Sequence, residues 1–265
     1  MDKIRLILIV LVSIIAISAC EKVEQQLSNS DKAVLQGYLI PGRKASISIS
    51  KEIAYASSDS VEVPIEGLEI IISNGLNSEQ MVDKGLGVYE SNTVVIQSDE
   101  KYSVSFEYNG RLVSAETTIP SKPIDFSASR KSITIPTFTP GSGAPPSFPE
   151  PIDLTWTNYD NRYYLVVVEN IESNPSPIYD STRYELHRFF RNEPMQTNFY
   201  ELNMRSFNYY GTHRIILFNL NPEYAALYDD NGNTSLNLTT PPSNVEGGLG
   251  IFTGLNSDTI NIEVY

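Results

Sequence analysis

"KYSVSFEYNGRLVSAETTIP", residues 101–120, alternates apolar and polar side chains on both sides of Asn109-Gly110. Asn-Gly tolerates the two positive-φ positions of a type I′ turn, so this dipeptide between alternating runs predicts a two-residue β-hairpin. The turn places Tyr108 opposite Arg111, Phe106 opposite Val113 and Val104 opposite Ala115. The other face then pairs Ser105 with Ser114 and Ser103 with Glu116, so turn chemistry and binary pattern select one register. An antiparallel sheet with one face on a core follows.

The same period of two extends outward. "SISIS" directs Ile47 and Ile49 to one side and Ser46, Ser48 and Ser50 to the other, and "GLEIIIS" aligns Leu68, Ile70 and Ile72. From Pro120 to Pro151 the composition changes, because half of the 16 prolines lie there and "TPGSGAPPSFPEP" suits neither a helix nor a central strand. Strands resume with "PIDLTWTNYDNRYYLVVVEN". Leu154 and Trp156 alternate on one strand, "NYDN" turns, and Tyr164, Val166 and Val168 alternate on the next. This layout is similar to the opening strands of a fibronectin type III or immunoglobulin-like sandwich, which makes the lone Trp a core residue.

"RIILFNL" and the terminal "TINIEVY" are further strands. "NPEYAALYDD" predicts a short helix with Asn221 as candidate cap and Pro222 at its first position. The expected fold is all-β, two β-sandwich domains with a proline-rich connection and one short helix. The expected division is a first sandwich over 34–120, a linker or loop over 121–151, and a second sandwich over 152–265 with an insertion at 172–212.

At the start of the chain, Lys3 and Arg5 precede "LILIVLVSIIAI", and small Ser18 and Ala19 precede Cys20, the single cysteine. The apolar run is shorter than the roughly 20 residues a helical membrane span needs, and its flanks are those of an export signal. "ISAC" resembles the lipobox of bacterial lipoproteins. That resemblance implies cleavage after residue 19 and acylation of Cys20, with 20–33 as a lipidated tether to a membrane. Once lipid consumes Cys20, no thiol remains for a disulfide, a cysteine-ligated zinc or a cysteine nucleophile.

The formal charge is −13, and removing residues 1–19, which carry Lys3 and Arg5 against Asp2, leaves −14. Counterion release from nucleic acid requires a basic face, so nucleic acid is not an expected partner. His187 and His213 are the only histidines, and neither HEXXH nor GXSXG occurs. "YDDNGN", 228–233, has its glycine too early for an EF-hand loop and reads as a turn. No catalytic residue, metal site or cofactor is expected, and the enzyme reading that stays open is a carboxylate-based hydrolase, since Asp and Glu pairs converge in space rather than in sequence.

One segment departs from the rest. "RYELHRFFRNEPMQTNFYELNMRSFNYYGTHR", 183–214, carries five arginines against three glutamates in an acidic chain and is dense in aromatic rings. Arginine and aromatic residues are the types enriched at binding hot spots. Arg188, Phe189, Phe190, Arg191, Arg205, Tyr209 and Tyr210 are the candidate partner contacts. The other reading is that these rings close the second sandwich, with the arginines snorkelling around its rim, and exposure distinguishes the two.

Several stretches together, "AVLQGYL", "GVYES" followed by the hairpin, "NPEYAALYD" and "TPPSNVEGGLGIFTGLNSDTINIEVY", resemble the Bacteroidetes lipoproteins grouped as the domain-of-unknown-function 4249 family. The resemblance covers nearly all of the mature chain and rests on order and spacing. It implies an outer-membrane lipoprotein with an accessory role in capture or uptake beside a TonB-dependent receptor, its small-molecule or peptide ligand undefined, and the missing catalytic motifs make the expected role non-enzymatic. The alternative is a structural or adhesive surface lipoprotein that mediates protein-protein contact. "DSV", "DST" and "DTI" resemble the short Asp-Ser/Thr-apolar acceptor of Bacteroidetes O-glycosylation, which implies sugar on Ser60, Ser181 or Thr259.

Overall fold

The computed structural model describes residues 31–53, 61–136, 148–179, 185–228 and 242–265; Cys20, Ser60, Ser181 and all of "YDDNGN" beyond Tyr228 lie outside them. The Asn-Gly hairpin forms in the register its turn dictates, with Tyr108 opposite Arg111 and Val104 opposite Ala115. Asn109 and Gly110 take φ of 50° and 70°.

In chain order the first strands are β1 (Ala33–Leu39), β2 (Lys44–Lys51), β3 (Ile71–Ser73), β4 (Ser78–Gln80), β5 (Val82–Asp83), β6 (Val88–Val95), β7 (Lys101–Tyr108) and β8 (Arg111–Thr118). The later ones are β9 (Ile124–Ala128), β10 (Ser132–Ile133), β11 (Ile152–Thr157), β12 (Tyr163–Asn170), β13 (Phe189–Arg191), β14 (Phe199–Leu202), β15 (Gly211–Leu220), β16 (Val245–Glu246) and β17 (Leu249–Val264). A four-residue helix, α1 (Pro222–Ala225), follows β15.

Two sandwiches share one sheet. A nine-stranded sheet runs β13-β12-β15-β17-β1-β2-β6-β5, with β10 also on β17; a five-stranded sheet, β16-β8-β7-β3-β4, covers one end and a three-stranded sheet, β14-β11-β9, the other. The first core contains Leu35, Ile47, Ile49, Ile72, Tyr89, Phe106 and Phe252. The second contains Leu154, Trp156, Val166, Val168, Leu217 and Ile262. Trp156 is a core residue, its ring 5.4 Å from that of Tyr164.

The strand that joins them is β17. Its residues 249–254 lie parallel to β1, and its residues 255–264 lie antiparallel to β15. Sixteen residues at about 3.3 Å each reach roughly 53 Å, more than one sandwich needs. The expected boundary at residue 152 therefore does not hold for 245–254. Val245 and Phe252 pack in the first core, and β16 pairs β8.

Three further expectations change. The stretch 121–151 supplies β9, an edge strand on β11, and β10, which pairs with β17. Edge positions need only one set of ladder hydrogen bonds, which a proline-rich region can still provide. The supposed insertion at 172–212 supplies β13 and β14, which extend the nine-stranded and three-stranded sheets. Ser50 is buried because Pro64 bridges it.

The junction is hydrogen-bonded rather than greasy. The Asn256 amide donates to Ser98 Oγ and to the Pro120 carbonyl, each at 2.9 Å. The Glu223 carboxylate on α1 accepts from Thr117 and Thr253 hydroxyls, each at 3.0 Å. Asn221 precedes α1 without a side-chain cap bond, because its amide donates instead to Thr117 Oγ1 and the Thr118 carbonyl. With backbone pairing and side-chain bonds on both sides of the seam, β17 and α1 fix one sandwich to the other.

Candidate functional site

Strand alternation divides the "HRFFR" cluster. Phe190 pairs with Val168 and points to the second core, whereas Phe189 and Arg191 pair with Glu169 and Val167 on the outer face. Phe189 is 61% exposed. Arg188 bonds the Glu172 carbonyl and Arg205 lies exposed in a 3-10 turn at Met204–Ser206. The Tyr209 hydroxyl donates to the Leu186 carbonyl at 3.3 Å, and Tyr210 packs against the second core. The seven candidates therefore do not form one surface. Phe190 and Tyr210 help close the sandwich, while Phe189 and Arg191 remain available to a partner.

These two residues extend an outer surface that reaches into the first sandwich. Across β13, β12, β15 and β17 one row reads Phe189, Glu169, Arg214, Asn261, and the next reads Arg191, Val167, Ile216, Thr259. Arg214 pairs with Glu169 at 2.6 Å. The Arg191 guanidinium lies over the Tyr228 ring, 5.7 Å from its centroid, at cation–π distance. Tyr228 meets Tyr224 at 5.8 Å, and Tyr224 meets Tyr38 of β1 edge-on at 6.1 Å. Burial, then the neighbouring Tyr228 hydroxyl, pushes the Tyr224 hydroxyl well above the usual phenol range, so it stays protonated.

An arginine and three tyrosines thus bridge the two sandwiches on the outer face. Sequence reasoning found Arg191 and missed the tyrosines. Tyr224 and Tyr228 stand four apart after a predicted helix start, a spacing that puts side chains on one face of a turn. Tyr38 carried no comparable signal.

Two concavities lie among the described residues, apart from the ring cluster. One, of about 360 Å³, sits at the junction beside Asp99, Asn161, Arg162, Gln196 and buried Asn219. The other, of about 540 Å³, separates β9 from β17 beside Thr259, which is exposed rather than covered by neighbouring strands. Among the described residues no group of three or more His, Cys, Asp and Glu converges as a metal site, and no described helix is long and apolar enough to cross a membrane.

Residues 21–261 match the family described as "Domain of unknown function (DUF4249)". The chain belongs to that family. No curated protein matches this DUF4249 chain. Similar solved structures include the FN1-FN3 domains of chicken CNTN1, at 11% identity over 88% of this chain and 64% of that one, with a TM-score of 0.29. Domains A168-A170 of titin share 10% identity over 88% and 67%, with a TM-score of 0.22. The Escherichia coli adhesin FdeC shares 10% over 89% and 65%, also with a TM-score of 0.22. The DUF4249 chain spans about two thirds of the length of these structures.

Proposed function

We propose that this DUF4249 protein is a non-enzymatic outer-membrane lipoprotein, held by acylated Cys20, that docks a TonB-dependent receptor through the outer face of its shared sheet. The observation that carries the docking reading is the continuous surface from Tyr38 through Tyr224 and Tyr228 to Arg191, with Phe189 exposed beside it. Aromatic rings and a guanidinium offer large contact area; Tyr38, Phe189 and Arg191 sit on strands of the shared sheet, while Tyr224 is on α1 and Tyr228 in the turn that follows it. The anchoring reading is supported by the lipobox-like "ISAC" that ends in the single cysteine.

The test is retention of partners from detergent-solubilised native membranes, read beside melting temperature. Phe189→Ala and Arg191→Ala are expected to leave melting nearly unchanged, because exposed substitutions cost within about 0.5 kcal/mol, while partner retention falls. Phe190→Ala is expected to lower stability by about 3 kcal/mol through lost core packing. Retention of a TonB-dependent barrel by the wild type supports the reading. Retention of surface proteins without any transporter moves it to the adhesive alternative, and intact retention by both outer-face variants removes the docking surface.

A further inference from the structure

One end of the first sandwich carries large apolar side chains that no described residue covers, and it is the end where the N-terminal chain enters. Asp31 accepts from the Tyr108 hydroxyl at 2.8 Å and from the Asn109 amide at 2.9 Å, which places the entry point beside the hairpin tip. The Glu52 N–H donates to the Lys32 carbonyl at 3.0 Å and the Lys51 N–H to the Val63 carbonyl at 2.8 Å, so Ile53, Val61 and Val63 lie at the same end. Gly87, in the β5–β6 turn, accepts from the Ile49 N–H at 2.8 Å near the end of β2. Leu112 follows the hairpin tip, next to Gly247 of the β16–β17 turn.

At this rim Leu86 is 80% exposed, Val61 72% and Leu112 68%, with Ile53 and Val63 about half exposed. Leu86 is also held in an unusual conformation. Its φ is 54°, a region that bulky residues occupy only under constraint. The constraint is visible: the Leu86 N–H donates to Glu66 Oε1 at 2.6 Å, and the two Asp83 oxygens accept from Gly67 and Gly85 N–H groups at 2.7 Å each. The turn presents a leucine outward on a pinned backbone, although either flanking glycine type would fit that φ with less strain.

We propose that this rim rests on the lipid surface, with Leu86, Val61 and Leu112 inserted at the level of headgroups and upper acyl chains. The inference rests on the acylation of Cys20 proposed above. Cys20 precedes Asp31 by eleven residues, a span of at most about 40 Å when fully extended. Acyl chains in the membrane hold the entry end within that distance of the bilayer, which raises the local concentration of this rim at the lipid surface. Leu86 projects from the β5–β6 turn, Val61 from the stretch between β2 and β3, and Leu112 from the first turn-proximal residues of β8, and apolar side chains presented from separate segments suit a fluid interface.

The experiment uses the full chain, processed in a lipoprotein-competent host and reconstituted into phosphatidylethanolamine and phosphatidylglycerol vesicles. Acylation consumes the native thiol, so a cysteine introduced by Leu86→Cys, or separately by Val61→Cys, takes a polarity-sensitive fluorophore. Leu76→Cys is the control, because Leu76 is 89% exposed in the β3–β4 turn, whose Asn74 bonds Glu100 at the junction end of the same sandwich. With nitroxide-bearing lipids in the membrane, probes at 86 and 61 are expected to be quenched several times more than the probe at 76. Acyl mass on Cys20 with equal quenching at all three positions overturns the inference and leaves the anchor standing. An unacylated Cys20 overturns both.

Discussion

His213 lies in the second core, 2% exposed, with its ring edge-on to Phe207 at 5.0 Å. Nδ1 is 3.0 Å from the Gly211 carbonyl and Nε2 is 3.3 Å from the Asn170 amide nitrogen. The neutral imidazole with its proton on Nδ1 satisfies both partners, whereas a second proton would face an amide donor. Burial holds its pKa below the ordinary 6.5, more strongly than the hydrogen bond to the Gly211 carbonyl and the charges of Glu263 and Glu172 raise it. The folded state therefore binds fewer protons than the unfolded chain once pH falls below about 6.5, and stability declines from there toward the lower folded pKa. Melting temperature should drop between pH 7.5 and 5.5, and His213→Gln should flatten that slope. An unchanged slope in the variant would show that His213 is not its source.

At the scale of elements, β17 depends on close approach to β1. Gly250 pairs with Leu35 at φ 111°, and a Cβ there would lie 2.0 Å from the Leu35 carbonyl oxygen. Gly110, at φ 70° in the hairpin turn, has open space around the same position. Gly110→Ala should cost about 1–2 kcal/mol, the usual left-handed penalty, and Gly250→Ala about 3 kcal/mol or more, since strain and a backbone clash combine. Urea midpoints of the two variants test this, and equal losses would contradict it. Sequence alone identified Gly110 through its Asn partner, but nothing beside Gly250 marked it as a contact with a strand more than two hundred residues earlier.

For the whole molecule, the shared strand and the polar seam predict one cooperative unfolding unit. The single tryptophan, Trp156, reports only the second core, while Phe252 is fully buried in the first. Phe252→Ala should remove about 3–5 kcal/mol of packing in the first sandwich. If β17 couples the two, the Trp156 fluorescence midpoint in urea should fall with the midpoint reported by far-ultraviolet circular dichroism. A Trp156 transition that stays at the wild-type midpoint would mean the sandwiches unfold independently.

Features governed by local rules were legible in the amino-acid sequence. The Asn-Gly turn selected the hairpin register, the period of two placed Ile47, Ile49, Trp156 and Val166 in cores, and Pro222 opened the helix. The tertiary structure alone decided partners. Only the terminal "TINIEVY" reads as strand, so no pattern could say that the strand begins at Leu249, that 249–254 pair with β1 or that 255–264 pair with β15. The candidate cluster was split for the same reason: alternation separates Phe189 and Arg191 from Phe190, but only pairing with β12 decides which side is core. Tyr38 joins Tyr224, Tyr228 and Arg191 because a parallel strand pair brings chain segments from opposite ends together, and such non-local contacts leave no trace in local periodicity.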